Sequence, residues 1–236
     1  MKLRVLGNTG PFPSAGGATS GFLLEEGNIK LILDMGSGTL ANLLQVCKLE
    51  EITAVICSHL HGDHISDLLV LRYALESKGM KLPLYIPKHP TLEYEFLSAM
   101  NTFEVHPITE DLNLQFENLS CSFKELYHPY ECFGIKINNG ERTFAYTGDT
   151  ALCPGINTFV QGVHALLCDV HGIEDLPSDK HLNIYEAIRL GNEAGIRHLI
   201  LTHFNPAIRP QKYFDLANNM FKGRTTKAEI LSTIVL

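Results

Sequence analysis

The sequence predicts a layered α/β fold, an αββα sandwich of two mixed β-sheets with helices on both outer sides. Three observations carry this. A chain of 236 residues, 45% of them hydrophobic, is the length of one generous domain, taken here as residues 1–236, and it can bury a large core. Short apolar strands gather in two regions, and each region is followed by helix-bearing segments that can cover a sheet's outer face. Finally, the stretch 52–57 is apolar but for Thr53, the pattern of a strand buried on both faces.

Taken in order, residues 3–6, 21–24 and 30–33 read as brief strands separated by Gly, Pro, Ser and Asn. The segment 8–17 is too rich in breakers to be anything but a loop. Helical spacing marks 39–46 and 64–77, the second with apolar residues at Ile65, Leu68, Leu69, Leu71 and Leu75. A strand at 82–86 and a helix at 91–100 follow. The middle is again β-rich, at 112–116, 121–126, 133–137 and 143–146, with Asn138-Asn139-Gly140 a hairpin turn. The last third alternates: strand 165–170, helix 184–194, strand 198–201, helix 211–220.

Nineteen basic against 26 acidic residues leave a formal charge of −7. That balance argues against a surface holding nucleic acid mainly by phosphate neutralisation, and it leaves room for a small phosphate-bearing substrate. Six cysteines fall singly, without a CxxC pair, the usage of reduced thiols in a cytoplasmic protein. The amino-terminal residues have neither the apolar core of a signal peptide nor a membrane-spanning run, so no membrane partner is expected.

Eleven histidines in a chain without tryptophan are the feature that calls for chemistry. The densest polar cluster is Ser58-His59-Leu60-His61-Gly62-Asp63-His64, which follows a buried strand and opens a helix. His59 and His61 alternate, so in an extended loop both point the same way. Asp63 and His64 begin the helix and face a second point. Imidazole and carboxylate are ligands for zinc and other borderline divalent metals, so HxHxDH at a strand-to-helix junction suggests two adjacent metal ions. Partners must come from elsewhere, and His128, Asp149 and His203 each follow an apolar strand. Taken singly, a histidine at a strand end is an ordinary core or surface residue; the three gain weight together.

With these motifs in place, the chain resembles the metallo-β-lactamase superfamily, and within it the ribonuclease Z-like branch. Leu33-Asp34-Met35-Gly36 looks like the family's Asp-bearing strand end, HxHxDH its second motif, His128 with the strand 133–137 its third, Tyr146-Thr147-Gly148-Asp149-Thr150 its fourth and Leu201-Thr202-His203 its fifth. The resemblance implies a dinuclear site. His59, His61 and His128 would hold one metal and Asp63, His64 and His203 the other, with Asp149 bridging. Zinc is the expected ion, manganese the alternative. A bridging hydroxide would be the nucleophile, since two cations lower the pKa of a shared water towards about 7. Asp63 and His181 are the candidate catalytic residues; His181 matches the histidine that such members place near the leaving oxygen. His171 could line the pocket, and His89, His106, His164 and His198 read as structural or surface residues. A bridging carboxylate, where antibiotic-destroying members carry a cysteine, points away from β-lactam hydrolysis. Relatives of this branch are often dimers, which implies a homodimer.

One departure matters. Transfer-RNA-trimming members insert a long basic arm between the third and fourth motifs, and here His128 and Asp149 are 21 residues apart. No large structured RNA is therefore expected as a partner. The expected function is hydrolysis of a small phosphodiester, such as a cyclic nucleotide or short oligonucleotide. The alternatives are an ester, thioester or lactone hydrolase on the same scaffold, or a non-catalytic metal-binding or carrier protein.

Overall fold

Fourteen strands form two seven-stranded sheets in a computed structural model that describes residues 1–236. The chain divides into two compact units, Met1–Ile108 with Glu229–Val235, and Thr109–Ala228 with Leu236.

The first unit contains β1 (Lys2–Gly7), β2 (Gly21–Glu26), β3 (Ile29–Met35), α1 (Thr39–Val46), β4 (Ala54–Ile56), α2 (Gly62–Ile65), α3 (Leu68–Lys78), β5 (Leu82–Ile86), α4 (Thr91–Ser98) and β6 (Phe103–Pro107). The second contains β7 (Asn113–Phe116), β8 (Leu119–Leu126), β9 (Cys132–Asn138), β10 (Thr143–Tyr146), α5 (Pro154–Phe159), β11 (Ala165–Asp169), α6 (Ile184–Glu193), β12 (His198–Thr202), α7 (Pro210–Met220) and β13 (Arg224–Lys227). The chain then returns to add β14 (Thr233–Val235) beside β1 in the first sheet.

Both sheets follow one plan. The first runs β14-β1-β2-β3-β4-β5-β6, antiparallel as far as β3 and parallel from β3 to β6. The second runs β13-β12-β11-β10-β9-β8-β7, antiparallel from β7 to β10 and parallel from β10 to β13. In parallel α/β sheets, ligands gather at the carboxyl ends of the strands. Here those ends carry Asp34 on β3, the His59–His64 loop after β4, Asp149 after β10, Asp169 on β11 and His203 after β12.

The central strands bury apolar runs that end in polar residues. Leu31, Ile32, Leu33, Val55, Ile56 and Leu84 are fully buried in the first unit, as are Leu166, Leu167, Leu199, Ile200 and Leu201 in the second. Each contributes about 1.5–3 kcal/mol by leaving water. In the second unit Ile184, Ala187, Ile188 and Leu190 of α6 and Tyr213 and Ala217 of α7 share one core cluster with β11 and β12.

The single helix expected over 64–77 is two. Between α2 and α3, Asp67 donates its N–H to the Met35 carbonyl at 3.0 Å and accepts the Leu40 N–H at 2.7 Å on its carboxylate. It is spent on tying the helix pair to β3 and α1, which breaks the helical run. The expected hairpin turn joins β9 to β10, with Gly140 at φ 88°. The loop over 8–17 lies between β1 and β2. All six cysteines are free thiols, and no helix is long and apolar enough to cross a membrane.

Candidate metal centre

In the first unit, the loop after β4 delivers its candidate ligands in two pairs. His59 is completely buried, and its Nε2 lies 3.0 Å from Nδ1 of His61. One turn on, His64 Nε2 lies 3.5 Å from a carboxylate oxygen of Asp63, and the His59 and His64 ring centroids are 4.1 Å apart. The buried carboxylate of Asp34 organises the set from behind. It accepts the Ser58 N–H at 2.6 Å and the Ser58 hydroxyl at 2.9 Å, and meets His64 Nδ1 at 2.7 Å. The Ser58 hydroxyl also lies 3.0 Å from His59 Nδ1. With Nδ1 occupied, His59 and His64 both present Nε2, the arrangement in which an outer carboxylate or hydroxyl sets the tautomer of a metal-binding imidazole.

The second unit supplies the other set. Gly148 at φ 60° allows the backbone after β10 to turn, and Asp149, nearly fully buried, brings a carboxylate oxygen to 3.2 Å from His203 Nε2. Asp169, at the end of β11, serves two imidazoles: Oδ2 lies 2.9 Å from His181 Nδ1 and Oδ1 lies 3.5 Å from His203 Nδ1. Ligand atoms of Asp149, Asp169, His181 and His203 all fall within 4.8 Å of one another. His128 turns its Nδ1 to the Lys180 carbonyl at 2.9 Å, on the loop that carries His181, and the two rings are 5.6 Å apart.

Electrostatics divide these groups by role. Burial opposes charge on His181, but Asp169, by charge and hydrogen bond, and then Asp149 outweigh it and hold its pKa above the usual imidazole value. Asp169 is the other half of this pair. Burial pushes its pKa up, yet the charge and hydrogen bond of His181 keep it below the usual carboxylate value. His128 is shifted down by burial, against the pull of Asp149. His171 is also shifted down, by burial and then by its neighbours His203 and His181.

The donor chemistry fits a divalent metal. Two ligand atoms bound to one tetrahedral zinc at 2.0–2.1 Å lie about 3.3 Å apart. The pairs His59/His61, Asp63/His64 and Asp149/His203, at 3.0, 3.5 and 3.2 Å, bracket that spacing. Hydrogen-bonded partners sit at similar distances, but two histidine nitrogens and paired carboxylate–imidazole edges at strand ends are what a metal requires. Asp34 and His203 also hold left-handed backbone, at φ 58° and 56°, which costs a non-glycine residue about 1–2 kcal/mol and concentrates at functional turns.

Of the residues singled out in the sequence, His59, His61, Asp63 and His64 meet in one unit, and Asp149, His181 and His203 in the other. His171 joins the second group, with its ring 4.7 Å from His181. His164 and His198 are structural: the first accepts the Thr143 N–H at 3.0 Å and the second bonds Thr226 at 2.8 Å. Asp169 escaped the sequence reading, although a carboxylate ending the apolar strand Ala165–Asp169 repeats the signal that marked Asp149.

Known proteins resemble this chain over most of its length. A family model described as a β-lactamase superfamily domain matches residues 31–204. The probable metallo-hydrolase YhfI of Bacillus subtilis is 32% identical over 211 residues, covering 86% of each chain. Its crystal structure matches 99% of this chain and 98% of its own, with a TM-score of 0.93 at 29% identity. Ribonuclease Z of Clostridioides difficile is 23% identical over 297 residues, covering 98% of this chain and 97% of its own. The crystal structure of human tRNase Z, short form, shares the fold, with a TM-score of 0.78 over 100% of this chain and 99% of its own at 21% identity. The expected fold class is therefore the fold of this protein. A family match running through both units, together with a relative this similar over most of its length, makes the chain a member of the metallo-β-lactamase superfamily, in its ribonuclease Z-like branch.

Proposed function

We propose that the protein is a dinuclear metal-dependent phosphodiesterase acting on a small phosphodiester, such as a cyclic nucleotide or short oligonucleotide. In this reading residues 1–236 act as one hydrolase domain. His59, His61 and His128 hold one ion, Asp63, His64 and His203 the second, and Asp149 serves both. The observation that carries it is the set of three ligand pairs at coordination spacing within the units. Two divalent ions, zinc or alternatively manganese, would supply a nucleophile at neutral pH and counter the charge that builds on a phosphoryl oxygen.

The remaining work falls to protein groups. Ser58 and Asp34 hold His59 and His64 in their tautomers, and the Lys180 carbonyl does the same for His128. His181 donates Nδ1–H to Asp169, so Nε2 is the atom that gives a proton to the leaving oxygen. Its raised pKa favours the protonated form this task needs. The proton supplied by His181 suits an alkoxide leaving group, which a phosphodiester shares with an ester or lactone, and the ribonuclease Z relative, a nuclease by name, supports the phosphodiester. Only the β9–β10 hairpin and its flanking loops occupy the interval from His128 to Asp149, which supports a small substrate over a large RNA. Free thiols, five of them buried, support a cytoplasmic location, and assembly as a homodimer belongs to the same proposal.

Metal analysis of the purified protein should find about two ions per chain, and Asp149→Ala should abolish turnover of a chromogenic phosphodiester. His181→Gln should lower kcat by about 10²–10⁴ with metal content intact. One ion or none, or turnover that survives Asp149→Ala, overturns the reading. Faster turnover of a thioester or lactone tested alongside would replace the substrate class.

A further inference from the structure

A cavity of about 460 Å³ opens in the second unit, and none of the candidate metal ligands lines it. That volume falls within the range of small-molecule sites. Leu152, Cys153 and Pro154, from the segment after Asp149, line it together with Glu186, Arg189, Leu190 and Glu193 of α6. The four α6 residues recur at helical spacing, so one face of that helix is turned to the cavity.

Glu186 is the residue that calls for an occupant. It is only 5% exposed, and its Oε2 accepts the Asn183 N–H at 3.0 Å in the cap of α6. Its Oε1 has no hydrogen bond, and the residue's remaining open edge is the cavity it lines. A carboxylate this deeply buried is ordinarily paired or fully hydrogen-bonded. Arg189, one turn on, does not serve it, because both terminal nitrogens of its guanidinium are engaged by Asp175 at 3.1 Å. Glu193, a further turn along and exposed, brings a second carboxylate to the same cavity. A single metal ion is the wrong guest. Cys153, Glu186 and Glu193 do not gather their ligand atoms at one point, as the clusters of the metal centre do. The two carboxylates stand two turns apart instead, about 10.5 Å along the helix axis, and the apolar Leu152, Pro154 and Leu190 line the cavity with them.

We propose that this cavity is a second binding site, for a linear organic dication with an ammonium group at each end of an alkyl chain. One ammonium donates to Glu186 Oε1, the chain lies against Leu152, Pro154 and Leu190, and the other ammonium reaches Glu193. Charge selects the guest at its two ends and apolar contact selects its middle.

The test is calorimetric titration of the metal-loaded full-length protein with 1,8-diaminooctane and with 1,8-octanediol, which share the chain and differ in charge. The diamine should bind at least about 10-fold more tightly, the margin of one hydrogen bond between charged groups. Glu186→Gln should weaken the diamine about 5- to 10-fold by removing the charged part of that bond. Glu193→Gln, a surface change that leaves the α6 cap intact, should weaken it about 1.5- to 5-fold, as for an exposed ion pair. Cys153 reports the location, since it lines the cavity and the other five cysteines are buried. Its reaction with a maleimide should slow about tenfold when the diamine is present at ten times its dissociation constant. Equal binding of the diol, diamine affinity unchanged in both variants, or a Cys153 rate indifferent to bound diamine each overturn the assignment. Every readout is independent of turnover, so failure here and failure of the phosphodiesterase reading are separate results.

Discussion

Asp34 holds no metal in the proposed site, yet it is completely buried and its carboxylate meets the Ser58 N–H, the Ser58 hydroxyl and His64 Nδ1 at 2.6, 2.9 and 2.7 Å. Three contacts to one carboxylate fix the approach of the whole His59–His64 loop. Asp34→Asn replaces one acceptor oxygen by a donor, so at least one of these bonds is lost and a buried polar group is left facing another donor. Metal affinity should fall about 10- to 100-fold, the usual cost of losing an outer partner of a ligating histidine, in a competition titration against a chromogenic chelator. Unchanged affinity would show that His64 needs no such anchor. The candidate ligands are legible in the sequence because HxHxDH compresses four of them into one loop. Their supports are not. Asp34 stood out only as a family landmark, and Asp169 not at all, because which imidazole a strand-end carboxylate faces is decided by strands distant in sequence. Lys180 was beyond reach, since it acts through a main-chain carbonyl that carries no side-chain signal.

Among the elements, those with strong periodicity or unbroken apolar runs were legible: the helix at Thr39–Val46 and the strands at Leu82–Ile86 and Thr143–Tyr146 have the expected bounds. The edge strands β6, β13 and β14 were not. Their sequences, FEVHP, RTTK and TIV, are short or polar, and such strands exist because a neighbour offers hydrogen bonds rather than because they bury a face. Tertiary contact also decides how β3 meets α2. A Cβ added at Gly36 would lie 1.9 Å from the Asp63 carbonyl oxygen and 2.2 Å from the Thr19 hydroxyl, whereas one added at Gly62 meets nothing within 4 Å. Gly36→Ala must therefore push the ligand-bearing helix off the end of β3. It should cost about 1–3 kcal/mol, read as a lower urea midpoint, and weaken metal binding with it. Gly62→Ala, at the first residue of α2, should stay within about 0.5 kcal/mol of wild type or gain slightly. Equal stability for the two variants would mean that the β3–α2 junction yields easily.

For the whole molecule, metal binding and folding should be linked, because ligands drawn from residues 59 to 203 are gathered only in the folded chain. Anything that binds the native state alone stabilises it by mass action. Free metal at 1,000 times its dissociation constant adds about 4.1 kcal/mol. For a chain of this size that corresponds to roughly 8–16 °C in Tm, which a chelator should remove. Where the loss appears is the sharper measurement, since each unit has its own sheet and its own half of the proposed ligands. The proposed site takes ligands for each ion from both units. Chelation should then weaken amide protection in β4 of the first unit and in β12 of the second together, followed by hydrogen exchange at Val55, Ile56, Ile200 and Leu201. If the ions instead belong to one ligand set, protection falls in that unit alone. A loss confined to β4 would place the metal on His59, His61, Asp63 and His64 without His128 or His203, and a loss confined to β12 would place it on Asp149, Asp169, His181 and His203. Either outcome rejects the shared dinuclear site, and a Tm indifferent to the chelator while metal content falls would reject the link between metal and fold.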